Sequence, residues 1–210
     1  MDTNNINKNE IEKIFSALVE LYNQDKSYNK IRMSDIAEKS EIHLGKIYAN
    51  FNDKDEIIIN FFEKLVYDVF TTFDDDIDKD MPLTEKLNVF WGLQLEFITP
   101  HLKLIKDVLP RTFVPLSKYA QFLDKIRKKY INFVSELFLE LNNKNDMFYK
   151  MFILQALANS FMFMNISLFG IWENDKSESK KDTLKFIEKS IKNFVIVSGL
   201  QNKWMMKKKK

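Results

Sequence analysis

Residues 31–57 read IRMSDIAEKSEIHLGKIYANFNDKDEI, and their polar groups suit reading of DNA better than covalent chemistry. Arg32, Lys46 and Lys54 are cations placed around two short helical patterns, where they can face phosphates. His43, Leu44, Lys46, Tyr48 and Asn50 lie on or at the start of the second pattern. His43, Lys46 and Asn50 are its polar groups able to approach base edges. Two short helices joined by a tight turn form a helix-turn-helix, whose second helix can enter a major groove.

The positioning elements follow from the same stretch. Residues 34–40 turn Ile36 and Ala37 inward, and Ala37 is small enough for a second helix to cross closely. Glu41-Ile42-His43 is the turn, anchored by Ile42, and residues 44–50 are the recognition helix carrying Gly45, Ile47 and Tyr48. Phe51 closes the unit. Asp53 with Glu56 three residues later is a capping-box pattern that starts a helix over 53–73. Ile57, Ile58, Phe61, Phe62, Leu65, Val66, Val69 and Phe70 continue it at helical spacing.

Residues 11–62 resemble the N-terminal domain of a TetR-family transcriptional regulator. The resemblance rests on residues 11–21 for a first helix, Asp35-Ile36-Ala37 for the second, and Gly45, Ile47, Tyr48 and Phe51 for the third. Lys54 and Ile57 match the start of the fourth. It implies an all-α homodimer: a three-helix DNA-binding domain over 1–52, and a helical ligand-binding and dimerisation domain over 53–210. It also implies a palindromic double-stranded operator, a small hydrophobic ligand that releases the protein from it, and Tyr48 and Lys54 against phosphates at the groove flank. Three positions depart from the pattern. Glu41 replaces the usual turn Gly, His43 the usual Ser or Thr, and Leu44 a frequent Lys.

With 210 residues, the chain can form one or two small domains with a real core. Four Gly and four Pro suit long helices joined by short connections. The absence of Cys excludes disulfides, cysteine-ligated zinc and thiol chemistry. His43 and His101 are the only histidines, too few for a histidine-rich metal site. No phosphate-cradling Gly loop, nucleophile elbow or paired-ligand helix motif is present. The acidic run over 74–80 lacks the Gly and terminal Glu of a calcium loop and reads as a solvated connection. Neither enzyme activity nor a metal or cofactor is expected. Residues 1–10 are polar, so neither a signal peptide nor a location other than the cytoplasm is expected.

The body is punctuated by its prolines. Pro82 opens a helix to about residue 98, and Pro100 and Pro110 bracket a short helix over 101–109. A long amphipathic helix is expected over 115–141, a loop over 142–145, an apolar helix over 146–169 ended by Gly170, and a last helix over 180–203. Residues 151–172 contain no charge and are long enough to cross a bilayer, but Gln155, Asn159, Ser160, Asn165 and Ser167 suit a buried bundle helix better. That helix and the last one are the expected homodimer interface. Trp91, Leu95, Phe97, Phe113, Phe122, Phe152 and Phe161 are candidates to line an apolar ligand cavity, with His101 or Tyr119 as polar handles. The same aromatics could simply fill the core.

Charge weighs against a simple DNA-binding head. Residues 1–60 carry eight Lys/Arg and eleven Asp/Glu, a net −3; residues 101–130 carry eight and two, a net +6. Residues 176–210 carry eleven Lys and three acids, a net +8. DNA affinity rests mainly on phosphate neutralisation, yet here the cations lie outside the head. Trp204-Met205-Met206 before Lys207–Lys210 pairs an apolar anchor with a cationic cluster, which suits an anionic membrane surface. Trp172, Asp175, Ser177, Thr183 and Phe186 are similarly spaced to the C-terminal region of ubiquinone-biosynthesis lipid-binding accessory proteins, the alternative reading of the chain.

Overall fold

The computed structural model describes residues 6–24, 27–78, 80–139 and 152–200. Among these residues there are helices and no strands, so the all-α expectation holds. The helices are α1 (Lys8–Asn23), α2 (Met33–Ser40), α3 (Leu44–Tyr48), α4 (Lys54–Asp76), α5 (Leu83–Ile98), α6 (Leu102–Thr112), α7 (Lys118–Leu139), α8 (Leu154–Asn174) and α9 (Lys181–Val197). The chain packs as two compact units: Met1–Phe70 with Leu95–Lys125, and Thr71–Gln94 with Ile126–Lys210.

The first unit is built on buried spacing. α1 begins with a reciprocal capping box: the Glu10 N–H donates to Asn7 Oδ1 and the Asn7 N–H to Glu10 Oε2, both at 3.0 Å. Ile14, Phe15, Leu18, Leu21 and Tyr22 then form its buried stripe. Ile36 of α2, Ile47 of α3 and Ile57 and Ile58 of α4 are fully buried against the same core. α6 adds Leu104 and Val108, and α7 adds Tyr119. The rings of Phe15, Phe62 and His101 pack round Phe61 at centroid distances of 4.9–5.6 Å.

The second unit is an aromatic-rich bundle. Leu83, Leu87, Phe90 and Trp91 of α5 are buried in it, as are Tyr130, Val134, Leu137 and Phe138 of α7. α8 contributes Leu154, Ala158, Phe161, Asn165 and Leu168, and α9 contributes Thr183, Ile187, Ile191 and Val195. At the α8–α9 corner the Asp175 carboxylate accepts from Ser177 N–H (2.7 Å), Thr183 N–H (3.0 Å) and Thr183 Oγ1 (2.5 Å). This set of donors starts α9 without a side-chain cap at Lys180.

Several element boundaries differ from expectation. Gly170 does not end α8, which continues to Asn174; the chain turns at Asp175, the carboxylate that organises the start of α9. Pro110 lies inside α6, which runs to Thr112. Only one backbone bond is forfeited so near a helix end, and the last turn tolerates it. The helix expected over 44–50 is α3, Leu44–Tyr48, two residues shorter than expected, with Asn50 in the turn that follows. α9 stops at Val197 rather than near 203, because Gly199 adopts φ +69° and the Leu200 N–H bonds to Val195 O. The loop over 142–145 and the Trp204–Lys210 tail lie outside the described residues.

Candidate DNA-binding interface

α2 and α3 are held by a buried frame that turns α3 outward. Ile36, Ala37, Ile42 and Ile47 are buried, while Arg32, His43 and Tyr48 are exposed. The turn resolves two of the departures. Glu41 adopts φ +58°, the left-handed conformation that Gly supplies freely, and the Ile42 N–H closes the turn on Ala37 O at 3.2 Å. His43 replaces Ser or Thr as the cap of α3: its Nδ1 accepts from the Gly45 N–H at 3.2 Å. Leu44 is half-buried and packs on the unit core, so the third departure exchanges a surface cation for packing.

The remaining polar candidates are mostly engaged within the protein. The Lys46 ammonium donates to both Glu10 oxygens at 2.7 and 2.8 Å. That ion pair and the Asn7 N–H hold the Glu10 carboxyl below its usual range. Asn50 donates to Lys46 O at 2.9 Å, and its Oδ1 accepts from the Ile6 N–H at 3.5 Å. Lys54 donates to Ile31 O at 2.7 Å and to Tyr28 O, with its ammonium 4.0 Å from the Tyr28 ring centroid. Burial, and then the charge of Arg111, lower its pKa. Lys54 therefore secures the loop that leads into α2. Arg32 uses its N–H, which donates to Asp35 at 3.0 Å, and its side chain is exposed.

Sequence reasoning missed the α6–α7 corner, which touches both flanks of the helix-turn-helix. The Arg111 guanidinium lies 3.4 Å from the Tyr28 ring centroid and reaches Asn29 Oδ1 at 3.5 Å. Lys118 Nζ pairs with Asp53 Oδ2 at 2.5 Å. Asp53 meanwhile caps α4, its Oδ1 accepting from the Glu56 N–H at 2.9 Å, while the Glu56 side chain reaches back to the Asn52 N–H. Tyr119 OH donates to Asp55 Oδ1 at 3.1 Å, and Tyr28 OH donates to the same oxygen. Burial, and then the Asp55 charge, raise the pKa of Tyr119 far above the usual phenol range. The basic character of residues 101–130 was the available signal, but it did not reveal where this segment packs.

These features fit a nucleic-acid-reading head better than a catalytic centre. Among the described residues no cluster of three His, Cys, Asp or Glu could hold a metal ion. No family model matches the chain. The sequence is 29% identical over 80 residues to an HTH-type transcriptional regulator of Haemophilus influenzae, a match covering 38% of this chain and 42% of that protein. The chain thus spans about two-fifths of that relative's length. Its structure is similar to the fatty acid degradation regulator FadR from Bacillus halodurans, with TM-score 0.67, 19% identity, 89% of this chain and 96% of that one. It is also similar to a TetR-family transcriptional regulator from Syntrophomonas wolfei, with TM-score 0.68, 19% identity, 91% and 97%. The transcriptional regulator FadR from Bacillus subtilis, solved with stearoyl-CoA, gives TM-score 0.65, 17% identity, 86% and 96%.

The fold is that of TetR-family regulators. Each of these neighbours is described as a regulator. Within the TetR-like fold the nine ligand candidates do not gather in one unit. Leu95, Phe97, His101, Phe113, Tyr119 and Phe122 belong to the first, and Trp91, Phe152 and Phe161 to the second. Trp91 and Phe161 are buried among other rings; Trp91 packs on Phe169 and Trp172, and Phe161 on Phe138 and Phe194. Phe113 and Phe152 are exposed. His101 is half-buried with Nδ1 unpartnered, and burial lowers its pKa. A cleft of about 710 Å³ lies on the second unit, lined by Ser167, Gly170, Ile171, Asn174, Asp182 and Phe186 among others. None of the nine candidates lines it.

Proposed function

We propose that this protein is a homodimeric, ligand-responsive DNA-binding repressor. The observation that carries the reading is the α2–turn–α3 unit, with a buried apolar frame and an outward face bearing Arg32, His43 and Tyr48. Residues 1–52 form the reading head, and residues 53–210 provide ligand response and dimerisation. Paired heads place their recognition helices in successive major grooves, roughly 34–36 Å apart, on a palindromic operator. The pairing face proposed on the second unit is that of α8 and α9, where Phe163, Ile166, Ile171, Leu184 and Phe186 are exposed. α8 is also long and apolar enough to cross a membrane. Its polar Asn159, Ser160 and Ser167 favour a protein-covered face.

The ligand class follows from the neighbour solved with stearoyl-CoA: a long-chain acyl thioester, or a similar small apolar molecule. By differential affinity for two states of the body, such a ligand shifts the head equilibrium and lowers operator affinity. The proposed location is cytoplasmic. Selection of bound DNA from a random library at moderate salt tests the reading. A palindromic consensus that stearoyl-CoA releases is the expected result. Binding to anionic vesicles with no selected DNA would overturn it.

A further inference from the structure

The reading head has an electrostatic deficit. Residues 1–70 carry nine Lys/Arg against thirteen Asp/Glu, so the helix-turn-helix and its supports are anionic. A polyanionic duplex is bound through phosphate neutralisation, so positive charge must come from elsewhere on the same face. The segment packed in the first unit from outside the head supplies it: residues 95–125 carry five Lys/Arg against three Asp/Glu.

We infer that the α6–α7 corner is a second phosphate-binding surface of the head, with Lys118 as its contact and Arg111 as its positioning residue. Lys118 is half-exposed and its ammonium sits on Asp53, the cap of α4, five residues beyond the end of α3. Asp53 would repel a phosphate at that flank, and Lys118 offsets its charge while half of its own side chain stays exposed. Arg111 fixes the corner against Tyr28 and Asn29, which lead through Lys30 to Arg32 on the other flank. Tyr28 and Tyr119 meet on the same Asp55 oxygen, which ties the two flanks to the corner. Lys30 and Arg32 precede α2, and Lys118 meets the cap of α4, so these cations stand at the two ends of the α2–turn–α3 segment. Phosphate contacts of this type position a protein without carrying sequence information.

The inference rests on the DNA-binding reading, and its test separates the two. The full chain is titrated against its selected operator, and against scrambled duplex, over a salt series. Lys118→Gln is expected to weaken both sequences alike and to lower the salt slope by about 0.9 per head, or about 1.8 for a two-headed complex. Lys185→Gln on α9 removes the same charge from the second unit and is expected to leave the slope unchanged. Asp53→Asn keeps a good helix cap while removing the carboxylate charge. In that background Lys118→Gln still lowers the slope if Lys118 meets a phosphate. Full rescue by Asp53→Asn makes Lys118 a mere neutraliser and overturns the inference. An unchanged slope, or altered base preference, in a Lys118→Gln protein that still binds the operator overturns it and leaves the repressor reading standing. Failure of the wild-type chain to select any DNA overturns both.

Discussion

Asp55 offers the sharpest test of how the head is held. Its Oδ1 receives two phenolic protons, from Tyr28 and from Tyr119, and Tyr119 is 3% exposed. Asp55→Ala removes the acceptor of both hydroxyls at once. A hydrogen bond to a charged group contributes roughly 1.5–3 kcal/mol, and a buried donor left without a partner costs about 1–3 kcal/mol. Tyr28 is half-buried and regains water, so most of the loss falls on Tyr119. The expected destabilisation is about 3 kcal/mol, or a fall of about 6–12 °C in Tm for a chain of this size. Tyr119→Phe removes the donor as well as the bond, leaves nothing buried and unpaired, and is expected to cost about 1.5 kcal/mol. In Tyr119→Phe protein, Asp55→Ala then costs only about 1.5 kcal/mol, because the orphaned hydroxyl no longer exists. Urea unfolding of the four proteins of this cycle, followed by circular dichroism, measures the coupling. Additivity within about 0.5 kcal/mol would refute the shared-acceptor reasoning.

Three other outcomes follow from local geometry. Glu41 holds φ +58°, so Glu41→Gly is expected to gain about 0.5–1 kcal/mol, read as a higher urea midpoint with an unchanged slope. Asp175 is held well below its ordinary value of 3.8 by the Thr183 hydroxyl and then the Ser177 N–H; its stabilisation is therefore complete above that value and is lost as pH falls through it toward the depressed folded value. Acid titration of tryptophan fluorescence should show this loss below about pH 4, and Asp175→Asn should remove that pH dependence. Ile166 is 60% exposed on α8, so Ile166→Asp is expected to leave the helical signal intact and to yield monomers by light scattering, whereas Phe161→Asp, placed in the core, should unfold the second unit.

What could be read from the sequence was short-range. Asp53 and Glu56 are three residues apart, and the cap they imply is present. The buried frame of Ile36, Ala37, Ile42 and Ile47 follows from helical spacing across one turn, and so do most starts of the long helices. What could not be read was where each polar side chain ends. Lys46 is engaged by Glu10, 36 residues away, and Lys54 by carbonyls 23 and 26 residues away. No local pattern distinguishes a cation aimed at phosphate from one that stitches the fold together. Phe113 shows the same limit for apolar groups: it reads as a cavity-lining ring, yet it stands 74% exposed in the connection after α6. Helix ends were missed where the stop came from a distant partner or a backbone conformation, as at Asp175 and Gly199.

In the proposed ligand response, the packing of the second unit sets the cost of binding. Its aromatics are largely spent on one another: Phe90 packs with Phe73, Tyr130 and Phe133, and Phe161 with Phe138 and Phe194. An interior packed in this way opens to a long apolar ligand only by parting rings, which sets a conformational cost against binding. The buried polar groups mark where that parting is cheapest. Tyr130 and Asn165 are hydrogen-bonded to each other, while Asn165 Oδ1 and the Trp91 and Trp172 indole N–H groups are buried without partners. Each unpaired group already forfeits a hydrogen bond in the closed state, so displacing it forfeits little more. Under the proposed repressor reading, a ligand that enters beside these groups gains hydrogen bonds the protein alone does not make, and its differential affinity for the two states is the free energy available for release from DNA.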